Sequence, residues 1–276
     1  MKIPCSVPVL TLNSKWSLQE LLPLLIDSFE DVFIIDGNST DGTQELAQSL
    51  GVRVEKQSAS DEPNLRITHF ADARLHSWAL ARFDWIYWID ADELPTPEQI
   101  QCVRELVARN VVPEVHRFIR LAQLPDGRVV RHALFYPEYT PRLFHRKSGA
   151  TLVDRPVHEK FILPSGVRFV DHPETYLAKW SSPKQMWKRQ RGYISMDTES
   201  IQPTWRMLLR WVYLYNLRSL LGQTYRMLRA CIVGMIRGEV YLPWGYSYYF
   251  LLYRIIVMIE STRTWLKLRR LKTISV

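Results

Sequence analysis

A parallel-sheet α/β domain followed by a basic helical extension is predicted by three observations. Continuous apolar runs end abruptly in acids at Asp36 and Asp90, as in strands buried on both faces whose ends reach a polar edge. Turn and helix signals alternate with these runs in β-α-β-α-β order. The charge is lopsided: the chain is +8 overall, yet residues 201–276 carry 12 Lys or Arg against 2 acids. At 276 residues, with 47% apolar and 12% aromatic composition, the chain has ample material for a core, which excludes a disordered chain.

Residues 7–13 read as the first strand. Ser17-Leu18-Gln19-Glu20 has the form of a capping box opening an apolar-periodic helix to about Phe29, kinked at Pro23. Residues 31–36 form the next strand. The turn at residues 37–43 feeds a helix over 44–50, and residues 52–56 resume as strand. A helix near residues 71–81 precedes the apolar run 83–89, and residues 94–98 read as a loop entering another helix.

The run 83–89 ends in Asp90-Ala91-Asp92-Glu93. Alternation along a strand sends Asp90 and Asp92 to one side, with Ala91 small enough to let a ligand approach. Two hard oxygen donors there suit Mg²⁺ or Mn²⁺ carrying a phosphate-containing substrate. A solvated turn is the plainer alternative. In open sheets ligands bind outside the carboxyl ends of the strands, where Asp36, Asp90 and Asp92 all fall.

The run Asp36-Gly37-Asn38-Ser39-Thr40-Asp41-Gly42-Thr43, followed by Asp90-Ala91-Asp92-Glu93, resembles glycosyltransferase family 2. With Phe70-Ala71-Asp72-Ala73-Arg74, Asp84-Trp85-Ile86 and Val157-His158-Glu159, the chain is similar to the bacterial branch that adds hexoses or heptoses to lipopolysaccharide cores. The resemblance covers roughly residues 5 to 180. It implies a GT-A nucleotide-sugar-binding domain, a Rossmann-like mixed sheet, over residues 1–180, and an inverting, metal-dependent transferase using a UDP-linked donor. Ser14-Lys15 stand where the family has glutamates, and Gly37 where it has an aspartate.

The resemblance also implies roles. Asp36 contacts the base or ribose, Asn13 and Asp41 belong to the donor loops, and Asp90 holds the ribose or a metal-bound water and counts with Asp92 and His158 among the metal residues. Asp92 is the direct metal ligand, since a leaving diphosphate needs a Lewis acid. Asp41 has a structural alternative as a helix cap. Arg74 is a diphosphate contact or a surface arginine. The acceptor hydroxyl must lose a proton, and Glu159 is assigned as that base, with His158 on the metal or diphosphate and Asp154 the next candidate base. An ion pair of Glu159 with Arg142 or Arg155 is the alternative. No covalent nucleophile is needed.

The three cysteines, Cys5, Cys102 and Cys231, are odd in number and lack metal-site spacing, so they read as reduced cytosolic thiols. No secretory signal precedes the first strand. Residues 181–276 mix arginines with aromatic and aliphatic residues, the composition of helices lying at a bilayer surface. On a helix over 204–236, Arg218, Arg226, Arg229 and Arg237 fall within roughly 100° of arc. The longest uncharged run, 240–253, is short of the roughly 20 residues a spanning helix needs. The expected partners are a lipid-linked saccharide and an anionic membrane on its cytoplasmic side, with no nucleic acid; helices packed on protein are the alternative. An aspartate-nucleophile phosphohydrolase is disfavoured by Leu94, and a noncatalytic nucleotide-sugar-binding protein on the same fold is the second reading.

Overall fold

The structure, a computed structural model, describes residues 1–153, 160–199 and 201–274. In chain order its elements are β1 (Ile3–Thr11), α1 (Lys15–Ser28), β2 (Phe29–Asp36), α2 (Thr43–Ser49), β3 (Arg53–Lys56), α3 (Phe70–Ala79), β4 (Trp85–Tyr87), β5 (Ile89–Asp90) and β6 (Glu93–Pro95). Then come α4 (Pro97–Arg109), β7 (Glu114–Gln123), β8 (Val129–Val130), β9 (Tyr139–His145), β10 (Thr151–Leu152), β11 (Phe161–Ile162) and β12 (Arg168–Lys179). The last are α5 (Pro183–Glu199), a π-helical stretch Met207–Tyr215, α6 (Asn216–Arg237) and α7 (Trp244–Ile274). The chain divides into two units, Met1–Leu121 with Pro137–Lys179, and Ala122–Tyr136 with Trp180–Val276.

In the first unit β1 is flanked by parallel strands, β2 on one side and β4 and β5 on the other, and β3 extends the parallel set beyond β2. Antiparallel β9 joins β4, β7 joins β9, and β12 with antiparallel β6 completes the far side. The apolar runs predict this arrangement because both faces of the parallel strands are covered. Leu18, Leu21, Leu22 and Leu25 of α1, Ala47 of α2, and Val103, Leu106 and Val107 of α4 pack in one core with Val7, Val9 and Ile34. Ala71 and Trp78 of α3 belong to another, with Ile86, Trp88 and Phe144.

Three local expectations are corrected. The helix expected to start at a Ser17 capping box begins at Lys15: the Ser17 and Leu18 N–H groups bond the Ser14 carbonyl, and the Ser17 hydroxyl donates to it as well (3.0 Å). Leu94 and Pro95, expected in a loop over 94–98, are strand with Glu93, their edge groups taken up by Tyr176–Ala178 of β12. Thr96 then caps α4, accepting the Gln99 N–H, with Pro97 at the first helical position. Asp90 and Asp92 do not share a pleated strand, because β5 stops at Asp90 and Ala91 and Asp92 form a turn.

The second unit holds α5, the π-helical stretch, α6 and α7. Leu124, Val130, Leu134, Met186, Met227, Leu242 and Tyr246 form one core. Ile201, Leu208, Val212 and Trp265 form another. The helix expected over 204–236 is continuous from 205 to 237, π-helical over Met207–Tyr215 and α-helical from Asn216. The buried Asn216 side chain donates to the Trp211 and Val212 carbonyls (3.1 and 3.0 Å), which accompanies the wider π turns before α6. Arg226, expected on the polar arc, donates through Nε to the Leu134 carbonyl (3.0 Å). Along α6, Leu217, Leu221, Tyr225, Leu228, Ile232 and Met235 are exposed. Among the described residues no helix is long and apolar enough to cross a membrane.

Candidate functional site

The parallel register brings the acids to one edge: Thr11 pairs with Asp36 and Leu10 with Asp90, so both acids flank the carboxyl end of β1. Asp36 is buried and fully engaged. Its oxygens accept from the Thr11 hydroxyl (2.8 Å), the Ser39 N–H and hydroxyl (both 2.7 Å) and the Gln44 amide (2.7 Å). The carboxylate thereby ties β1, the β2–α2 turn and α2 together.

Asparagines lace three loops into one wall. Asn13 and Asn38 have φ of 50° and 57°, a left-handed region that Asn tolerates through its short polar side chain. Asn13 donates to Asn64 (2.8 Å) and accepts the Thr40 N–H (3.0 Å), while its own N–H goes to the Ser39 hydroxyl (2.8 Å). Asn38 donates to the carbonyls of Ser60 and Glu62 (both 2.8 Å). Gly37 is required by close approach, since a Cβ there would lie 2.3 Å from the Leu65 carbonyl oxygen. Asp41 sits at two helix starts, accepting the Lys15 N–H of α1 (3.1 Å) and the Thr43 N–H of α2 (3.0 Å). Burial pushes its carboxyl up, but the Thr43 hydroxyl together with these N–H donors outweighs that and holds it below its ordinary value. These bonds put the Asp41 carboxylate at the starts of both helices, while Gly42 is the N-cap of α2.

Beside this wall lies a charged cluster built on Trp88. The guanidinium groups of Arg74 and Arg142 lie 4.4 and 4.8 Å from the Trp88 ring centroid. Arg74, from α3, is 4% exposed and pairs with Asp90, so it is not a surface arginine. Arg142, from β9, pairs with Glu93 (2.7 Å) and stands 3.9 Å from the second Asp90 oxygen. The other Glu93 oxygen accepts the Asp90 N–H (3.0 Å). Burial raises the half-buried Asp90 carboxyl, yet Arg74 and Arg142 prevail and keep it below its ordinary value. Glu93 goes the other way: its burial, opposed by Arg142 and reinforced by Asp90, raises it. Asp92 is half-buried on the turn, and its carbonyl accepts the Lys179 N–H (2.8 Å), anchoring the turn to β12.

Of the residues singled out from the sequence, the structure gathers Asn13, Asp36 and Asp41 in the loop wall and Arg74 and Asp90 in the charged cluster, with Asp92 on the turn that follows. Asp154, His158 and Glu159 lie outside the described residues. Glu93, Arg142 and Trp88 were not read as site residues. The signals were a third acid in the acidic turn and an arginine inside an otherwise apolar strand, Pro141-Arg142-Leu143-Phe144. The hard oxygens of Asp90 and Asp92 have the chemistry to hold Mg²⁺ or Mn²⁺, Asp90 with one oxygen already engaged by Arg74.

Residues 6–121 match the family model for glycosyl transferase family 2. Among solved structures, S. aureus TarS 1-349 in complex with UDP-GlcNAc is 14% identical over 98% of this chain and 92% of that one, with a TM-score of 0.44. TarS 1-349 in complex with UDP is 16% identical over 70% and 65% of the two chains, with a TM-score of 0.43. Glucosyl-3-phosphoglycerate synthase from Mycobacterium tuberculosis, in complex with Mn²⁺ and UDP-Glc, is 20% identical over 43% and 44%, with a TM-score of 0.34. The chain spans 65% of that UDP-bound TarS structure and 55% of a longer TarS structure. The matched segment contains Asn13, Asp36, Asp41, Arg74, Asp90 and Asp92, so the part of this mixed α/β fold that holds the strand-end acids is the part similar to glycosyl transferase family 2.

Proposed function

We propose that this chain transfers a hexose or heptose from a UDP-linked donor to a hydroxyl of a lipid-linked, lipopolysaccharide-type saccharide, with inversion and with Mg²⁺ or Mn²⁺ at the diphosphate. One observation carries the reading: within the family-matched segment, Asp36 and Asp90 flank the end of β1 beside a wall of asparagine-laced loops. This is where open α/β sheets bind nucleotides. Because the Asp36 carboxylate is spent on four protein donors, its contribution to nucleoside binding is largely to hold that wall in shape. Arg74 and Arg142 hold Asp90 and Glu93 in place beside Asp92, an acidic set that a divalent cation carrying a diphosphate would balance.

Asp92 is the direct metal ligand in this reading. Asp90, engaged by Arg74, suits a ribose or indirect contact, and His158 is the third candidate ligand. The cation, when bound, supplies charge stabilisation to the leaving diphosphate. Glu159 takes the acceptor proton, with Asp154 the next candidate, and attack opposite the leaving group inverts the anomeric centre.

A lipid-borne acceptor is supported by the second unit. On α6 the six exposed apolar side chains from Leu217 to Met235 fall within one arc of about 100°, and the exposed Arg218 and Arg229 lie at its edge. Such a face matches an anionic cytoplasmic leaflet, apolar groups to the acyl boundary and arginines to the headgroups. The experiment is a panel of nucleotide sugars offered with Mn²⁺ and lipid-linked saccharides. Acceptor-dependent release of UDP supports the proposal, and nucleotide binding without turnover on any donor would favour a noncatalytic binding protein.

A further inference from the structure

A second set of donor atoms lies between α4 and β12 and takes no part in the strand-end site. Cys102 of α4 and His172 and Glu174 of β12 each offer one, all three within 4.8 Å of one another. Cys102 Sγ is 3.8 Å from His172 Nδ1. Two ligands of a tetrahedral zinc, at about 2.3 Å for sulfur and about 2.0 Å for nitrogen, stand roughly 3.6 Å apart, so little movement is required. The other ring nitrogen of His172 is 3.1 Å from Nδ1 of His116 on β7. A partner there can fix the tautomer that leaves Nδ1 turned to Cys102 as a lone pair, as outer partners of metal-bound histidines do. Glu174 Oε2 is buried with no hydrogen-bond partner, an acceptor that a cation would satisfy.

We propose that Cys102, His172 and Glu174 bind one Zn²⁺, with water completing the tetrahedron and His116 orienting His172. A thiolate and an imidazole select zinc over Mg²⁺ or Mn²⁺. Binding takes the Cys102 thiolate, so it releases a proton to solvent and weakens as pH falls. The ion clamps α4 to β12. Because β12 pairs with β6 and the Thr96 hydroxyl donates to the Thr175 carbonyl (2.9 Å), the clamp braces the frame around the acidic turn. Cysteine spacing along the chain does not reveal this site, since its ligands come from two elements seventy positions apart.

The test uses the full chain, stripped with EDTA, exchanged into buffer and titrated with Zn²⁺ or Co²⁺ alone. One equivalent binds, Co²⁺ gives thiolate-to-metal charge-transfer absorption, and Zn²⁺ raises Tm. Cys102→Ser removes the absorption, and His116→Asn weakens binding roughly tenfold. Asp92→Asn leaves both unchanged, which separates this site from the strand-end acids. In the wild-type chain, Zn²⁺ also shields Cys102 from alkylation, read by peptide mass spectrometry, so the test does not depend on any variant folding. A folded wild type that shows no thiolate–Co²⁺ band, or in which Zn²⁺ leaves Cys102 alkylation unchanged, overturns the proposal.

Discussion

Glu93 and Arg142 form an ion pair of 2.7 Å between β6 and β9, with side chains only 2% and 5% exposed. The same carboxylate accepts the Asp90 N–H, so the pair fixes the start and end of the acidic turn relative to the sheet. Arg142 also lies over the Tyr176 ring (4.9 Å to its centroid), which makes β12 part of the arrangement.

Removing Arg142 should leave the Glu93 carboxylate buried without its cation, and removing Glu93 should leave Arg142 with only the Asp90 oxygen at 3.9 Å. Glu93→Leu and Arg142→Leu are each expected to cost about 3–5 kcal/mol in urea denaturation at neutral pH, and the double variant should recover much of that loss. Additive losses would show that the two charges do not act as a unit.

Asp36 and Glu159 should separate binding from chemistry. Asp36→Ala unties four donors, so it should lower Tm and weaken nucleoside diphosphate affinity at least about tenfold by calorimetry. Glu159→Gln should cut turnover while leaving that affinity within about twofold. Equal losses of affinity in the two would move the base elsewhere, with Asp154 next.

Acid stability should report on Asp84, whose carboxylate receives Lys147 (2.8 Å) and Arg146 (3.1 Å). These cations hold its carboxyl below the ordinary value. A carboxyl whose folded pKa is depressed contributes stability above its unfolded pKa and loses it as pH falls through the folded one. Asp84→Asn should therefore cost about 0.5 kcal/mol at pH 7, a modest figure because the network is partly solvated, and the gap to wild type should close as pH falls through the depressed folded pKa. A gap that persists at lower pH would mean packing rather than charge.

Much of the fold was legible because the parallel strands are apolar on both faces and end in acids; β1, β2 and the 85–90 run follow directly. What the sequence hid was set by tertiary pairing. Residues 93–95 become strand only because β12 pairs with them, and the Asp90–Asp92 geometry changes with that turn. Arg74 looks like any helix-surface arginine until Asp90 and Trp88 meet it across the sheet. Ser17 has the letters of a capping box, but Ser14 and Asp41 take the helix start instead.

Membrane docking should depend on the exposed α6 face. The chain is expected to co-sediment with anionic liposomes, less with neutral ones, and each basic residue near the surface contributes about 1 kcal/mol. Arg218→Gln with Arg229→Gln should weaken binding in a salt-dependent way, and Leu221→Gln with Ile232→Gln at all salt concentrations. Arg226 is spared because it bonds the Leu134 carbonyl. Sedimentation unchanged in both pairs would assign the face to another role.

The most direct measurement is release of UDP from the preferred nucleotide sugar by wild type and Asp92→Asn, each with Mn²⁺ and with EDTA. Wild type should turn over only with the cation, and Asp92→Asn should lose about 100-fold or more in rate, equivalent to nearly 3 kcal/mol of barrier, while its circular dichroism and Tm stay close to wild type. Full turnover in EDTA, or a folded Asp92→Asn enzyme with near-normal rate, would contradict metal-assisted sugar transfer at this site.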